Sequence, residues 1–214
     1  MTFEWKWDRV SDAFPMLMDG FVTTLLATVL GILVAAVLGL IVAMANRTPT
    51  RFVTVPLRIL VEFIRSTPLL VQLVFAYAIF NTVDPLTIGI VVLGIHYASY
   101  LSEVYRAGID AVPRGQWEAS RALSLSPGRT WRAVILPQAV RNVLPALGNY
   151  AIAMFKETPF LAVITVAEMV SKAREYGSDH FAYTETFTLA GLIFLVASYP
   201  TSLLMRRLEK RLGH

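Results

Sequence analysis

The 214-residue chain contains no cysteine, which excludes a disulfide framework, a thiolate metal site and a cysteine nucleophile, and leaves the redox compartment open. Charge is scarce: 16% of residues are Asp, Glu, Lys or Arg, where a soluble domain carries about a quarter. No G-x-x-x-x-G-K-[ST] segment occurs, so no loop can cradle nucleotide phosphates in the P-loop manner. Histidine is limited to His96, His180 and His214, with no H-E-x-x-H or comparable spacing, so neither a metal site nor catalysis is expected. Internal repeats are lacking as well, which argues against a secondary transporter built from inverted halves. What fills the chain is apolar: 56% of residues are hydrophobic and the mean hydropathy is +0.58. The expectation is an all-α polytopic membrane protein, with residues 1–214 forming one transmembrane domain.

Gly20–Ala45 runs 26 residues without a charge, enough to cross a ~30 Å hydrocarbon core with some tilt. It is too long for a signal-peptide core, so no cleaved signal is expected. Thr186–Met205, 20 uncharged residues, reads as the last span. Between them Ser66–Asn81 and Leu86–Ser102 reach spanning length only if flanking charged residues are admitted. Asn142–Phe155 follows, then a break at Lys156-Glu157-Thr158-Pro159 and a short piece, Pro159–Ala167, that does not fully cross. Five transmembrane helices result. Within the first, Ala27, Gly31, Ala35, Gly39 and Ala43 recur every fourth residue, a ladder that lets another helix backbone approach closely.

Basic residues are distributed unevenly around these spans. Fourteen of the 19 Lys and Arg fall in 46–65, 103–141 and 206–214, and five in 1–19, 81–86 and 156–185. By the positive-inside rule the amino terminus is outside and the carboxyl terminus cytoplasmic. Residues 1–19 become an outer segment, in which Trp5 and Trp7 suit the membrane interface, and 103–141 a cytoplasmic loop. The basic balance follows from this asymmetry, so nucleic acid is not an expected partner.

The cytoplasmic loop holds Glu118-Ala119-Ser120, then Ser124, Val134 and Leu136-Pro137. This resembles the EAA signature of permease subunits in binding-protein-dependent ABC importers, where E-A-A, glycine, isoleucine and L-P occupy those places. The resemblance implies a type I importer permease fold and a coupling helix docked on a cytoplasmic ATPase dimer, which binds the ATP and Mg. It assigns ATPase coupling to Glu118, Ala119, Ser120, Leu123, Ser124, Pro127 and Gly128. Ser124 departs from the glycine, which tolerates positive φ where serine is reluctant; the turn is therefore expected to shift onto Ser126-Pro127-Gly128. Further segments extend the likeness from about 20 to 212. Glu62-Phe63-Ile64-Arg65-Ser66-Thr67-Pro68-Leu69-Leu70-Val71-Gln72 is similar to a segment of polar amino acid permeases. So are Glu103-Val104-Tyr105-Arg106, Gly148-Asn149, Lys156-Glu157-Thr158 and Arg206-Arg207-Leu208-Glu209. The pattern around Leu93-Gly94-Ile95-His96-Tyr97 and Pro145–Pro159 resembles the permease of ectoine and hydroxyectoine importers. The resemblance also implies a second permease subunit, related or a copy, and an extracytoplasmic solute-binding protein.

Candidate path residues follow from placement. His96, Ser99 and Tyr100 share a helix face near the midplane, where hydroxyls and aromatic faces suit a small polar, zwitterionic solute; hydrogen bonding to a neighbouring helix is the alternative. Asn149 and Tyr150 precede the helix break, and broken helices expose backbone groups to ligands. Glu62 with Arg65 and Glu103 with Arg106 are i, i+3 pairs at helix ends, readable as an inner gate or as structural ion pairs. Lys156 and Glu157 face either the solute or the receptor at the outer lip. An arginine-, histidine- or glutamine-type importer permease is the second solute reading. A stand-alone transporter and a membrane scaffold are the other functional classes, separated from the first by dependence of uptake on ATPase partners.

Overall fold

A computed structural model describes residues 5–212, helical nearly throughout and without strands among those residues. Helix α1 (Trp7–Ala45), α4 (Pro85–Asp110) and α9 (Tyr183–Leu212) are long and apolar enough to cross a membrane. Two bent pairs complete the set. In the first, α2 (Arg51–Ser66) and α3 (Leu69–Ile79) meet at 105°. In the second, the segment that includes α7 (Leu136–Glu157) and a 3₁₀ stretch (Thr158–Ile164) meets α8 (Met169–His180) at 52°. With each pair taken as one span the total is five.

Helix α1 packs most extensively on α4. Its buried face includes Gly20, Thr24, Ala27, Gly31, Ala35, Gly39 and Ala43, so the small-residue ladder is the contact face. The crossing is closest where glycines meet. A Cβ at Gly94 would lie 2.7 Å from Val34 Cβ, and one at Gly39 would lie 2.9 Å from Leu101 Cβ and 3.1 Å from the Ala98 carbonyl. Lipid tails supply no hydrophobic drive for helix pairing, so this close packing is what holds α1 to α4. The outward residues of α1, among them Val22, Leu33, Val37 and Ile41, are exposed and apolar, as a lipid-facing surface requires.

Three expectations are corrected. Residues 7–19 belong to the first helix rather than to a separate segment: α1 begins at Trp7, and Ala13 and Leu17 are buried against Met169, Ala173 and Tyr176 of α8. The second span is not one helix. Pro68 lacks an N–H and disfavours helix at Thr67, so α2 stops and α3 starts in a new direction, leaving Glu62 and Arg65 on the other arm of the elbow. The connection expected over 103–141 is shorter, because α4 continues to Asp110 and α7 begins at Leu136. The expected short piece after the break at 156–159 is the 3₁₀ stretch, which ends at Thr165 with φ 67°. Helix α8 was not anticipated. Its polar composition hid it, and its N-cap is the buried Glu168 carboxylate, which accepts from Val170 N at 2.9 Å and Ser171 N at 2.6 Å.

Candidate functional site

Between α4 and α7 the chain forms a structured loop. Helix α5 (Arg114–Ala122) is followed by a short helix α6 (Pro127–Thr130) and a π turn, Trp131–Ile135. Beneath them Ile109, Val112, Ile135 and Ala139 make a small core of their own, flanked by Trp117 and Trp131 with ring centroids 5.4 Å apart. Arg47, at the end of α1, ties the loop base to the bundle: it donates to Asp110 Oδ1 at 3.0 Å and lies 6.0 Å from the Trp131 ring. The loop is therefore packed at its base rather than a loose connection.

Helix α5 ends in a Schellman motif. Leu125 N donates to the Ser120 carbonyl at 3.0 Å and Ser124 N to the Arg121 carbonyl at 2.9 Å, which requires a left-handed residue at Ser124. Its φ is 51°. The turn has not shifted onto Ser126-Pro127-Gly128: Ser126 is extended, and Pro127 and Gly128 lie inside α6. The serine adopts the glycine conformation at a cost of about 1 kcal/mol, and α5 and the motif's two hydrogen bonds hold it there. Ser120 is buried and donates to the Gln116 carbonyl at 2.7 Å. Glu118, Ala119, Ser124, Pro127 and Gly128 are exposed, and Leu123 is 73% exposed.

A second group of residues gathers where the α2–α3 elbow meets α4 and the end of α7. Gln72 stitches the elbow: its amide nitrogen donates to the Ile64 carbonyl at 2.7 Å and to Thr67 Oγ1 at 2.7 Å. Its amide oxygen is thereby left as acceptor for His96 Nδ1 at 3.1 Å, a tautomer assigned from this network. Tyr97 donates to Glu157 Oε2 at 2.8 Å. Tyr97, Tyr100 and Tyr150 form an aromatic wall, with centroids 5.8 to 6.2 Å apart. The Arg65 guanidinium carbon lies 5.2 Å from the Tyr100 ring centroid. A cavity of about 410 Å³ opens here, lined among others by Arg65, Leu70, His96, Tyr100, Glu157 and Phe160.

The anticipated residues therefore separate. His96 and Tyr100 share the cavity, and Tyr150 joins through its ring contacts. Ser99 does not face it: the hydroxyl is buried and donates to the His96 carbonyl of its own helix. Asn149 turns the other way, donating to Glu209 Oε1 of α9 at 3.1 Å. Glu157 points into the cavity, whereas Lys156 is exposed. Glu103 and Arg106 form the expected ion pair. Glu62 and Arg65 do not, because Arg65 is drawn to the Tyr100 ring. Gln72 was missed, because it acquires its role only from the bend at Pro68.

An all-helical domain of three long apolar helices and two bent pairs, with a polar loop between α4 and α7 and an open pocket where the α2–α3 elbow meets α4, is the architecture of a membrane translocation subunit. Residues 35–214 match the binding-protein-dependent transport system inner membrane component family, and the chain belongs to it. It is a multi-pass inner-membrane protein. It is 44% identical over 202 residues to the probable amino-acid ABC transporter permease protein y4tG of Sinorhizobium fredii, covering 92% of this chain and 87% of that one. It is 33% identical to the glutamine transport system permease GlnP of Escherichia coli over 98% of both chains. The L-cystine permease TcyB of Bacillus subtilis is 34% identical over 96% of this chain and 91% of its own. Among solved structures, an amino acid ABC transporter crystallised with histidines superimposes with a TM-score of 0.90 at 32% identity, over 99% of this chain and all of that one. The chain is a permease subunit of an ABC importer.

Proposed function

We propose that this permease passes a small zwitterionic, amino-acid-like solute across the membrane. The observation that carries the reading is the cavity in which a guanidinium, Arg65, and a carboxylate, Glu157, share walls with His96 and Tyr100. A solute carboxylate finds a cation there, its ammonium finds an anion, and the ring faces suit a delocalised cation. Relatives named for glutamine and L-cystine support an amino acid; ectoine and hydroxyectoine, the compatible solutes suggested by sequence resemblance, fall in the same zwitterionic class. An extracytoplasmic binding protein delivers the solute, a second permease subunit completes the pathway, and an ATPase dimer carrying ATP and Mg docks on the loop around Glu118, Ala119 and Leu123. The loop then lies in the cytoplasm and the amino terminus outside, in keeping with the Lys and Arg distribution.

The assay is protection from labelling, in the assembled importer without its binding protein. A cysteine at Phe160, which lines the cavity, is the only thiol in this chain. Glutamine, arginine and ectoine are offered alongside amines that lack the carboxylate. Zwitterions should protect at least about tenfold better, since a polar site left unpaired discriminates strongly. Glu157→Gln should abolish the discrimination between zwitterions and simple carboxylates. Equal protection by the decarboxylated amines would overturn the zwitterion reading.

A further inference from the structure

The two ends of the Gln72 amide are held by different neighbours. Its nitrogen is ringed by three acceptors: the Ile64 carbonyl at 2.7 Å, the Thr67 carbonyl at 3.1 Å and Thr67 Oγ1 at 2.7 Å. The Thr67 hydroxyl already has its proton on the carbonyls of Phe63 and Ile64, each at 3.1 Å, so toward Gln72 it can only accept. A flipped amide would set an oxygen against two carbonyl oxygens and is excluded. The amide oxygen therefore faces His96 Nδ1 at 3.1 Å. An amide oxygen only accepts, so His96 carries a proton on Nδ1.

A neutral imidazole protonated at Nδ1 has a lone pair at Nε2. Among the described residues that nitrogen has no hydrogen-bond partner, and His96 lines the cavity it shares with Glu157. The carboxylate is prepared in the same sense. Tyr97 donates to Glu157 Oε2 at 2.8 Å, and Oε1 has no partner among the described residues. Tyr97 adjoins His96 on α4, with the rings 5.7 Å apart, so the network sets two open acceptors on the wall of one cavity. Arg65 makes no ion pair with Glu157 among the described residues. It lies over the Tyr100 ring instead, on the kind of face where a quaternary ammonium would otherwise settle.

We propose that Gln72 determines which solute cations this permease accepts. By holding the His96 proton on Nδ1 it presents Nε2, with Glu157 Oε1, as a two-acceptor seat for a cation that carries N–H groups. On the reading of this cavity as the solute's, the seat narrows the zwitterion class. Primary ammonium, amidinium and guanidinium groups can donate to both acceptors. A fully methylated cation has the same charge and nothing to donate, and it leaves both acceptors unpaired. Betaines are thus rejected although their charges match. Gln72 does not line the cavity; it is a positioning residue that acts through His96.

Two measurements on the assembled importer without its binding protein test this. In the first, the full-length chain carries isotopically labelled histidine among unlabelled partners, and nitrogen NMR reads the tautomer; the His96 signals are those missing in His96→Asn. The parent should show Nδ1 protonated and Nε2 bare, and Gln72→Met should move the proton toward Nε2. In the second, solutes protect Phe160→Cys from a thiol reagent. Glutamine, arginine and ectoine are each compared with the form whose cationic nitrogens are fully methylated, which keeps the charge and loses every N–H. The unmethylated form should protect at least about tenfold better, as for a lost hydrogen bond to a charged group, and Gln72→Met should shrink that ratio to about threefold or less. Rejection by size alone would leave the ratio unchanged in Gln72→Met. Thr67→Val removes one contact of the elbow and spares the Gln72–His96 bond, so it should keep both tautomer and ratio. A proton on Nε2 in the parent, equal protection by both forms, an unchanged ratio in Gln72→Met, or an equal loss in Thr67→Val would each overturn the proposal. Equal protection would leave the solute cavity standing, whereas no protection by any of these compounds would remove the cavity reading and the seat with it.

Discussion

Ala119→Asp or Leu123→Asp should reduce solute-stimulated ATP hydrolysis by at least about tenfold, with the permease still inserted and folded. Both side chains are exposed on a loop whose own core lies beneath it, so a carboxylate at either place disturbs nothing inside this chain. The cost falls at the contact. Leu123 is 73% exposed, and burying a charge in place of its apolar side chain under a docked ATPase costs on the order of 2 kcal/mol or more. Glu118→Lys should act in the same direction, by reversing a charge one residue away on α5. Ser120→Leu should behave differently. Ser120 is buried within the loop, so this substitution should lower the thermal stability of the purified chain as well as coupling. Co-purification with the ATPase, hydrolysis and membrane abundance are the measurements, and wild-type stimulation in Ala119→Asp and Leu123→Asp together would remove the loop from the docking surface.

A second large effect should come from the α1–α4 seam. Gly94→Leu should abolish recovery of monodisperse protein from detergent, because the new side chain would occupy the place of Val34, whose Cβ is 2.7 Å from where a Cβ at residue 94 would stand. Overpacking of this kind costs about 1–3 kcal/mol in a core that can adjust. Adjustment is limited here, since the Gly31 carbonyl lies 3.4 Å from the same point and small-residue packing is the force that pairs these helices. Gly94→Ala should show a smaller loss that Val34→Gly relieves in the double variant. Full recovery of Gly94→Leu would mean that the helices do not approach as closely as the structure has them.

The long uncharged runs within α1 and α9 were legible in the sequence because no charged residue interrupts them, and the ladder from Ala27 to Ala43 named the contact face of α1 correctly. The elbow at Pro68 was not legible. Apolar residues continue on both sides of it, so hydropathy reads one span where the chain changes direction by 105°. The start of α1 and the whole of α8 escaped for the opposite reason: Asp8, Asp12 and Asp19, or Lys172, Arg174 and Glu175, make those helices look like loops, although each buries one face in a shared cluster. Of the site, Tyr100 and His96 could be placed on a common face by helical spacing alone. Asn149 could not be excluded that way, because its partner, Glu209, is 60 residues distant. Ser124 was recognised as the position that needs positive φ. That a serine would accept it depended on the two hydrogen bonds of the α5 terminus.

The central claim is that this chain is the solute pathway of an ATP-driven importer. Proteoliposomes containing the complete importer, with the binding protein outside and ATP within, test it through uptake of a labelled amino acid such as glutamine or of ectoine. The account predicts accumulation against a gradient that requires ATP and falls to background with Glu157→Gln, while the affinity of the binding protein for solute stays unchanged. Accumulation that persists without ATP or the ATPase, or that is indifferent to Glu157→Gln for every zwitterion carried, would contradict it.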